Sequence, residues 1–147
     1  PDISITTDCI VGHPYETEEC FREYVDFCKE IGFSKLHVFP YSLRTGTAAA
    51  TMPQIDEQVK KRRVDILLAL SHELERAYYE KFINCTLGVI TEEYDGDYTF
   101  GFTSNYIKVY LKGEYKLNQR YLCQLNKLED THVNAEVISC LENEITI

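Results

Sequence analysis

The residues with most chemical promise lie between Phe33 and Met52. Leu36 and Val38 alternate with Lys35, His37 and Phe39, which is a strand pattern. Pro40 has no N–H to give a ladder, so the strand should end there. A polar loop of small residues follows, carrying Arg44 and Gly46 and running into Ala48, Ala49 and Ala50. A strand that stops at proline and opens into such a loop suits a ligand site at the carboxyl end of a parallel sheet. An ordinary strand–loop connection has the same pattern. The second candidate is the basic run Lys60, Lys61, Arg62 and Arg63. It reads as a solvated helix face, or as a face with a partner, because positive charge near a helix start opposes the dipole. The six cysteines form no CxxC or CxxxCxxC spacing, so no structural zinc or cluster site is expected and no metal ligands are assigned. They read as reduced thiols rather than disulfides.

The elements that would position these groups follow from periodicity. Ile3 to Val11 is a β-branched run expected to be a mostly buried strand. Residues 12–15 break it, Thr17 is a plausible N-cap, and Glu18 and Glu19 suit the positive helix end. Phe21, Tyr24, Val25, Cys28 and Ile31 recur at helical spacing, and Gly32 ends the helix. Strand, helix and strand make a βαβ unit, which requires a right-handed crossover and a parallel sheet. One such unit cannot cover both sheet faces, so it must dock on further strands or leave apolar surface bare. Asp56 should cap a long helix with the apolar stripe Val59, Ile66, Leu67, Leu70, Leu74, Ala77, Tyr78 and Phe82.

After Phe82 the pattern changes to short strands. Candidates are Thr86–Thr91, Tyr98–Thr103, Tyr106–Leu111, Tyr121–Leu128 and Val133–Ser139, separated by turn signals such as Asp95-Gly96-Asp97 and Lys112-Gly113-Glu114. Five closely spaced strands suggest a small closed or nearly closed barrel. The expected organisation is 1–54 as an α/β part, 55–82 as a connecting helix, 83–141 as the barrel and 142–147 as a loosely held tail.

Bulk properties narrow the class. The chain has 147 residues, 44% of them hydrophobic and 27% charged, which fits a folded chain of one domain or two small ones. No run approaches the ~18 apolar residues of a membrane span, and the acidic start carries no secretory pattern. A start directly in a strand pattern suggests a piece of something longer. The net charge of −9 argues against simple electrostatic capture of nucleic acid. It is uneven, with −6 on residues 1–34, +2 on 35–82 and −5 on 83–147. Only the middle segment could meet phosphate with a positive face.

Three stretches resemble one family. Residues 7–17 resemble a "TDIIVGFPGET" segment of the radical S-adenosylmethionine methylthiotransferases. Residues 33–52 resemble their next strand and loop, in wording closest to the branch that modifies threonylcarbamoyladenosine beside the tRNA anticodon. Residues 101–110 resemble the "GHTxNYIKVYV" of the RNA-binding TRAM domain that ends these enzymes. The likeness covers nearly the whole chain in the right order. Three positions depart from it. His13 and Tyr15 stand where the family has Phe and Gly, and Tyr does not take positive φ as cheaply as Gly. Phe102 replaces a His.

The resemblance implies a partial radical βα barrel of parallel strands, followed by a small all-β TRAM or OB-like barrel. It implies S-adenosylmethionine and iron–sulfur clusters as cofactors of a full-length parent, with none bound to this segment, which lacks the CxxxCxxC motif and should be inactive alone. The chemistry would then insert a methylthio group at an adenine carbon, the protein orienting and shielding the cofactors. Ile10, Gly12, Glu16, Val38, Phe39 and Pro40 would lie against the adenosyl part. Gly12 would give close backbone approach and residues 38–40 main-chain edges for adenine. Glu16 would bind a polar group or simply favour the helix start. Arg44 would meet a nucleotide or cofactor carboxylate, and Lys61 and Arg62 would face RNA. Asn105, Tyr106 and Lys108 would touch RNA in the barrel, Tyr106 by stacking and Lys108 at phosphate. Alternatively, Tyr106 is core and Asn105 a turn residue tolerant of positive φ. The implied partners are a tRNA anticodon stem-loop and amino-terminal domains of the same protein, in the cytoplasm. Isopentenyladenosine tRNA or a ribosomal protein as target, a stand-alone RNA-binding module and a structural adaptor remain rival readings.

Overall fold

The computed structural model describes residues 2–141. The expected tail at 142–147 lies outside the described residues. The described chain divides into two compact units, Ile5–Glu75 and a second built from residues 2–4 with residues 76–141. The division falls inside the long helix.

The first unit is strand β1 (Thr6–Val11), helix α1 (Glu18–Ile31), strand β2 (Lys35–Pro40), a short 3-10 turn (Ala48–Thr51) and the greater part of helix α2 (Glu57–Glu80). The strands pair in parallel, from Thr6 opposite Lys35 to Val11 opposite Pro40. Helix α1 starts where the Thr17 hydroxyl accepts the Cys20 N–H at 3.1 Å. It stops at Gly32, which takes φ 68° and donates its N–H to the Cys28 carbonyl. Cys9, Val11, Phe21, Cys28, Leu36, Leu67 and Leu70 form the core. The Ser71 hydroxyl closes part of the outer edge of β2, accepting the Leu36 N–H and donating to the Leu36 carbonyl, both at 3.0 Å.

Three expectations need correcting. The first strand begins at Thr6, and it is not mostly buried: Ile3, Ile5 and Ile10 are exposed. Cys9 and Val11 point to the face that the helices cover, and the period of two turns Ile10 to the other face. Ile66 and Ala77 are exposed although they were placed on the α2 stripe, and Ile31 on α1 likewise. The basic run is a solvated face only at Lys61 and Arg62. Lys60 and Arg63, three apart and therefore on one side of the helix, are 5% and 3% exposed.

The second unit is a closed barrel of β3 (Thr86–Asp95), β4 (Tyr98–Thr103), β5 (Lys108–Lys112), β6 (Arg120–Leu128) and β7 (Val133–Leu141). Its order is β3-β4-β5-β7-β6, with β5 and β7 parallel and the other pairs antiparallel. This is the five-stranded Greek-key arrangement of OB folds. Val89, Ile107, Val109, Leu111, Cys123, Leu125 and Val133 fill it, and Tyr78, Tyr79 and Phe82 from the end of α2 pack against them. Strand β3 runs past Thr91 through a bulge to Asp95. Strand β5 begins at Lys108 rather than Tyr106, because Tyr106 sits at φ 63° in the preceding turn. Thr91, Thr99 and Thr103 point inward and hold loop backbone. Thr99, for example, donates to the Gly113 carbonyl at 2.8 Å and accepts the Tyr115 N–H at 3.0 Å.

All six cysteines are free thiols. Burial pushes the Cys123 thiol up to about 11. Burial, with Cys9 alongside, does the same for Cys28. The thiolate is the reactive species, so iodoacetamide at pH 8 should label the exposed Cys20 and Cys140 quickly. Cys28 and Cys123 should label only on unfolding, as mass spectrometry of digests would show.

Candidate functional site

The carboxyl ends of β1 and β2 open into a cavity of about 590 Å³ lined by Ile10, Phe39, Pro40, Tyr41, Ser42, Arg44, Thr47 and Ala49. Ile10 and Phe39 present bare apolar surface there, 57% and 52% exposed. Parallel pairing puts them side by side, since Ile10 is opposite Phe39. The loop below is fixed by its own turns: the Thr47 hydroxyl donates to the Arg44 carbonyl at 2.8 Å. The Arg44 side chain is exposed at the cavity edge. Four residues singled out from sequence (Ile10, Phe39, Pro40 and Arg44) thus share one apolar recess with a guanidinium at its rim.

Gly12 leaves β1 at φ 82°, and a Cβ on it would lie 2.5 Å from Lys60 Cγ. The backbone comes that close because the Lys60 stem runs beneath it toward Glu57, which Nζ meets at 2.8 Å. Glu16 turns back on the chain. Its carboxylate accepts the Gly12 N–H at 3.1 and 3.2 Å and the Arg63 guanidinium at 2.5 Å. Arg63 also donates to the Glu16 carbonyl at 3.1 Å, and its guanidinium carbon lies 5.3 Å from the Phe21 ring centre. The left-handed turn after β1 is thereby clamped from helix α2. Sequence reading missed Arg63 and Lys60 in this role. Their three-residue spacing was the available signal.

Lys61 and Arg62 are exposed and paired, Lys61 with Asp65 at 2.8 Å and Arg62 with Glu18 at 2.7 Å. With Ile66 and Ala69 they edge a separate recess of about 520 Å³. They are not brought to the Arg44 cavity.

Tyr15 adopts φ 67°, in the left-handed region, where it is 68% exposed. A side chain in that conformation costs about 1–2 kcal/mol. Tyr15→Gly should therefore stabilise the unit by about 0.5–1 kcal/mol after the added freedom of the unfolded chain is counted. A higher urea midpoint would show it. His13 packs edge-on against Tyr41, ring centres 5.2 Å apart.

In the barrel, Asn105 and Tyr106 form the turn between β4 and β5. The Asn105 side-chain oxygen accepts the Thr103 hydroxyl at 2.7 Å, and the Asn105 carbonyl accepts the Tyr78 hydroxyl at 3.1 Å. The alternative that made Tyr106 core fails, because Tyr106 is 73% exposed. It is also Tyr106, not Asn105, that takes the positive φ. Lys108 points along the outer face, its Nζ 4.6 Å from the Phe100 ring centre and 5.3 Å from that of Tyr110.

No family model matches the chain. Among curated proteins it is 42% identical over 153 residues to threonylcarbamoyladenosine tRNA methylthiotransferase MtaB of Bacillus subtilis, covering 99% of this chain and 34% of that protein. It is 42% identical over 97 residues to tRNA-2-methylthio-N(6)-dimethylallyladenosine synthase of Chloroflexus aurantiacus, covering 63% of this chain and 21% of that one. It is 40% identical over 102 residues to ribosomal protein uS12 methylthiotransferase RimO of Clostridium acetobutylicum, covering 69% and 23%. The chain belongs to the radical S-adenosylmethionine methylthiotransferase family. It spans about a third or less of the length of these relatives.

Proposed function

We propose that the chain is the carboxyl-terminal part of a tRNA methylthiotransferase, comprising the end of its radical βα barrel and its RNA-gripping TRAM barrel. The observation that carries this is the Ile10–Arg44 cavity at the ends of two parallel strands, in a chain alignable over 99% of its length with an enzyme of that name. That full-length alignment favours threonylcarbamoyladenosine beside the anticodon as the target, because it takes in both units. The other two relatives align over 63% and 69% of the chain.

The residues suit the adenosyl part of S-adenosylmethionine. Ile10 and Phe39 offer exposed apolar surface, and residues 38–40 end the sheet at its rim. Gly12 gives a left-handed turn at the strand end, packed on the Lys60 stem and held by Glu16, whose part in binding is to fix that turn. Arg44 takes a carboxylate or phosphate at the edge. When bound, S-adenosylmethionine supplies the radical that makes an unreactive adenine carbon accessible to sulfur. Among the described residues no three His, Cys, Asp or Glu side chains gather into a metal-holding group. The described residues therefore offer no ligand set for an iron–sulfur cluster. Its ligands would come from the amino-terminal domains of the parent, and the segment alone would bind tRNA without turning it over. A tRNA substrate supports the reading that the working protein is cytoplasmic.

Titration of the chain with an unmodified anticodon stem-loop over a range of salt tests the reading. Affinity should fall as salt rises, since phosphate contacts release counterions. Lys61→Gln with Arg62→Gln should flatten that slope by about one to two phosphate contacts. No binding at low salt would overturn the RNA half of the proposal.

A further inference from the structure

The outer face of β4 and β5 carries rings that the residues singled out from sequence did not include. Phe100 lies opposite Tyr110 in the ladder, and Tyr110 opposite Asn134 of β7. The Phe100 and Tyr110 rings are stacked, 5.4 Å between centres and 15° between planes. His132, entering β7, lies 4.1 Å from the Tyr110 ring centre, and Tyr98 lies 5.9 Å from it. Tyr98, Tyr110, His132 and Asn134 border a cavity of about 520 Å³ with Asp95, Glu129 and Asp130. Strands two and three of an OB barrel, with the loops joining strands one to two and four to five, are the surface on which that fold binds oligonucleotides. Tyr98 and Tyr110 lie on those two strands, and His132 beside the second of those loops.

We propose that this face seats one unpaired RNA base that carries an exocyclic amino group. The proposal rests on the reading of the barrel as RNA-binding and names where and what it grips. Stacked rings accept any base by its face. The rim chooses among bases, because it is made of acceptors. Asp95 accepts the Tyr110 hydroxyl at 2.8 Å, leaving its second oxygen to the cavity. Glu129 Oε1 accepts both Lys127 Nζ at 2.7 Å and Asn134 Nδ2 at 3.1 Å, and Asp130 meets Arg76 at 3.8 Å. The buried Asn134 side-chain oxygen has no hydrogen-bond partner among the described residues, and Asp95 is the rim carboxylate with no cation among them paired to it. Carboxylates and amide oxygens take amino donors, as acidic side chains do with cytosine N4. They disfavour phosphate, which is left to Lys108, whose ammonium lies over the Phe100 and Tyr110 rings. A negatively charged barrel can therefore hold RNA by one base rather than by its backbone.

The test compares labelled oligocytidine with oligouridine of equal length, two pyrimidines that differ in the amino group, at fixed salt. Wild-type chain should bind oligocytidine several-fold more tightly. His132→Ala and Tyr98→Ala should each weaken oligocytidine binding about 5-fold or more, with thermal melts unchanged. Equal affinity for the two oligomers would overturn the amino-group assignment. Unchanged binding by both variants, with wild type still gripping the stem-loop, would overturn this seat alone. Failure of wild type to bind stem-loop or oligomer would overturn the RNA reading and the seat together.

Discussion

Arg63→Met is expected to lower the stability of the first unit by about 3 kcal/mol or more, because it strands a largely buried carboxylate. The Glu16 side chain is 13% exposed and the Arg63 side chain 4%, so water can replace little of what the guanidinium supplies. Only the Gly12 N–H would remain on the Glu16 oxygens. For a unit of this size the loss corresponds to a fall in Tm of about 12 °C or more. Adding Glu16→Gln to Arg63→Met should recover part of it, since the uncompensated charge is gone. That recovery separates a stranded charge from lost packing against Phe21. The same variant should loosen the turn at Gly12 and weaken S-adenosylmethionine binding in any full-length enzyme built on this segment.

Gly101→Ala is expected to cost the barrel about 3 kcal/mol or more, at the high end of what added core volume does. A Cβ at Gly101 would lie 1.9 Å from the Ile90 carbonyl oxygen and 2.8 Å from Thr91 Cα. Both are backbone atoms, so no side chain can swing aside. The site sits beside the bulge in β3 that follows Thr91, and only a residue without a side chain lets the two strands close there. A cooperative urea transition of the barrel at a much lower midpoint, or its disappearance, is the expected outcome. A variant as stable as the parent would mean that β3 and β4 are not paired in this register.

Much of this was legible in the sequence, because local signals and tertiary packing agree. Thr17 and Gly32 bound α1 where their capping chemistry puts them. The five strands follow their alternation, and the loop after Pro40 forms a recess with Arg44 at its edge. The misses at Lys60 and Arg63 share one cause. Hydropathy counts Lys60 and Arg63 as surface, but one long stem lies beneath a glycine backbone and one guanidinium meets a carboxylate 47 residues away. Partners so distant in sequence leave no local mark. The aromatic row was half visible. Tyr98, Phe100 and Phe102 alternate on one strand, and Lys108 and Tyr110 on the next. Its alignment needed the register, and His132 arrives from a loop that no periodicity describes.

A chimera tests the central claim most directly. The segment of the Bacillus subtilis relative that aligns with this chain would be replaced by this chain, and tRNA from cells relying on the chimera would be digested and analysed for methylthiolated threonylcarbamoyladenosine. The expected result is the modified nucleoside at a readily measured fraction of the parental level, lost again with Arg44→Ala. A folded, cluster-loaded chimera that binds S-adenosylmethionine yet leaves its tRNA unmodified would contradict the account.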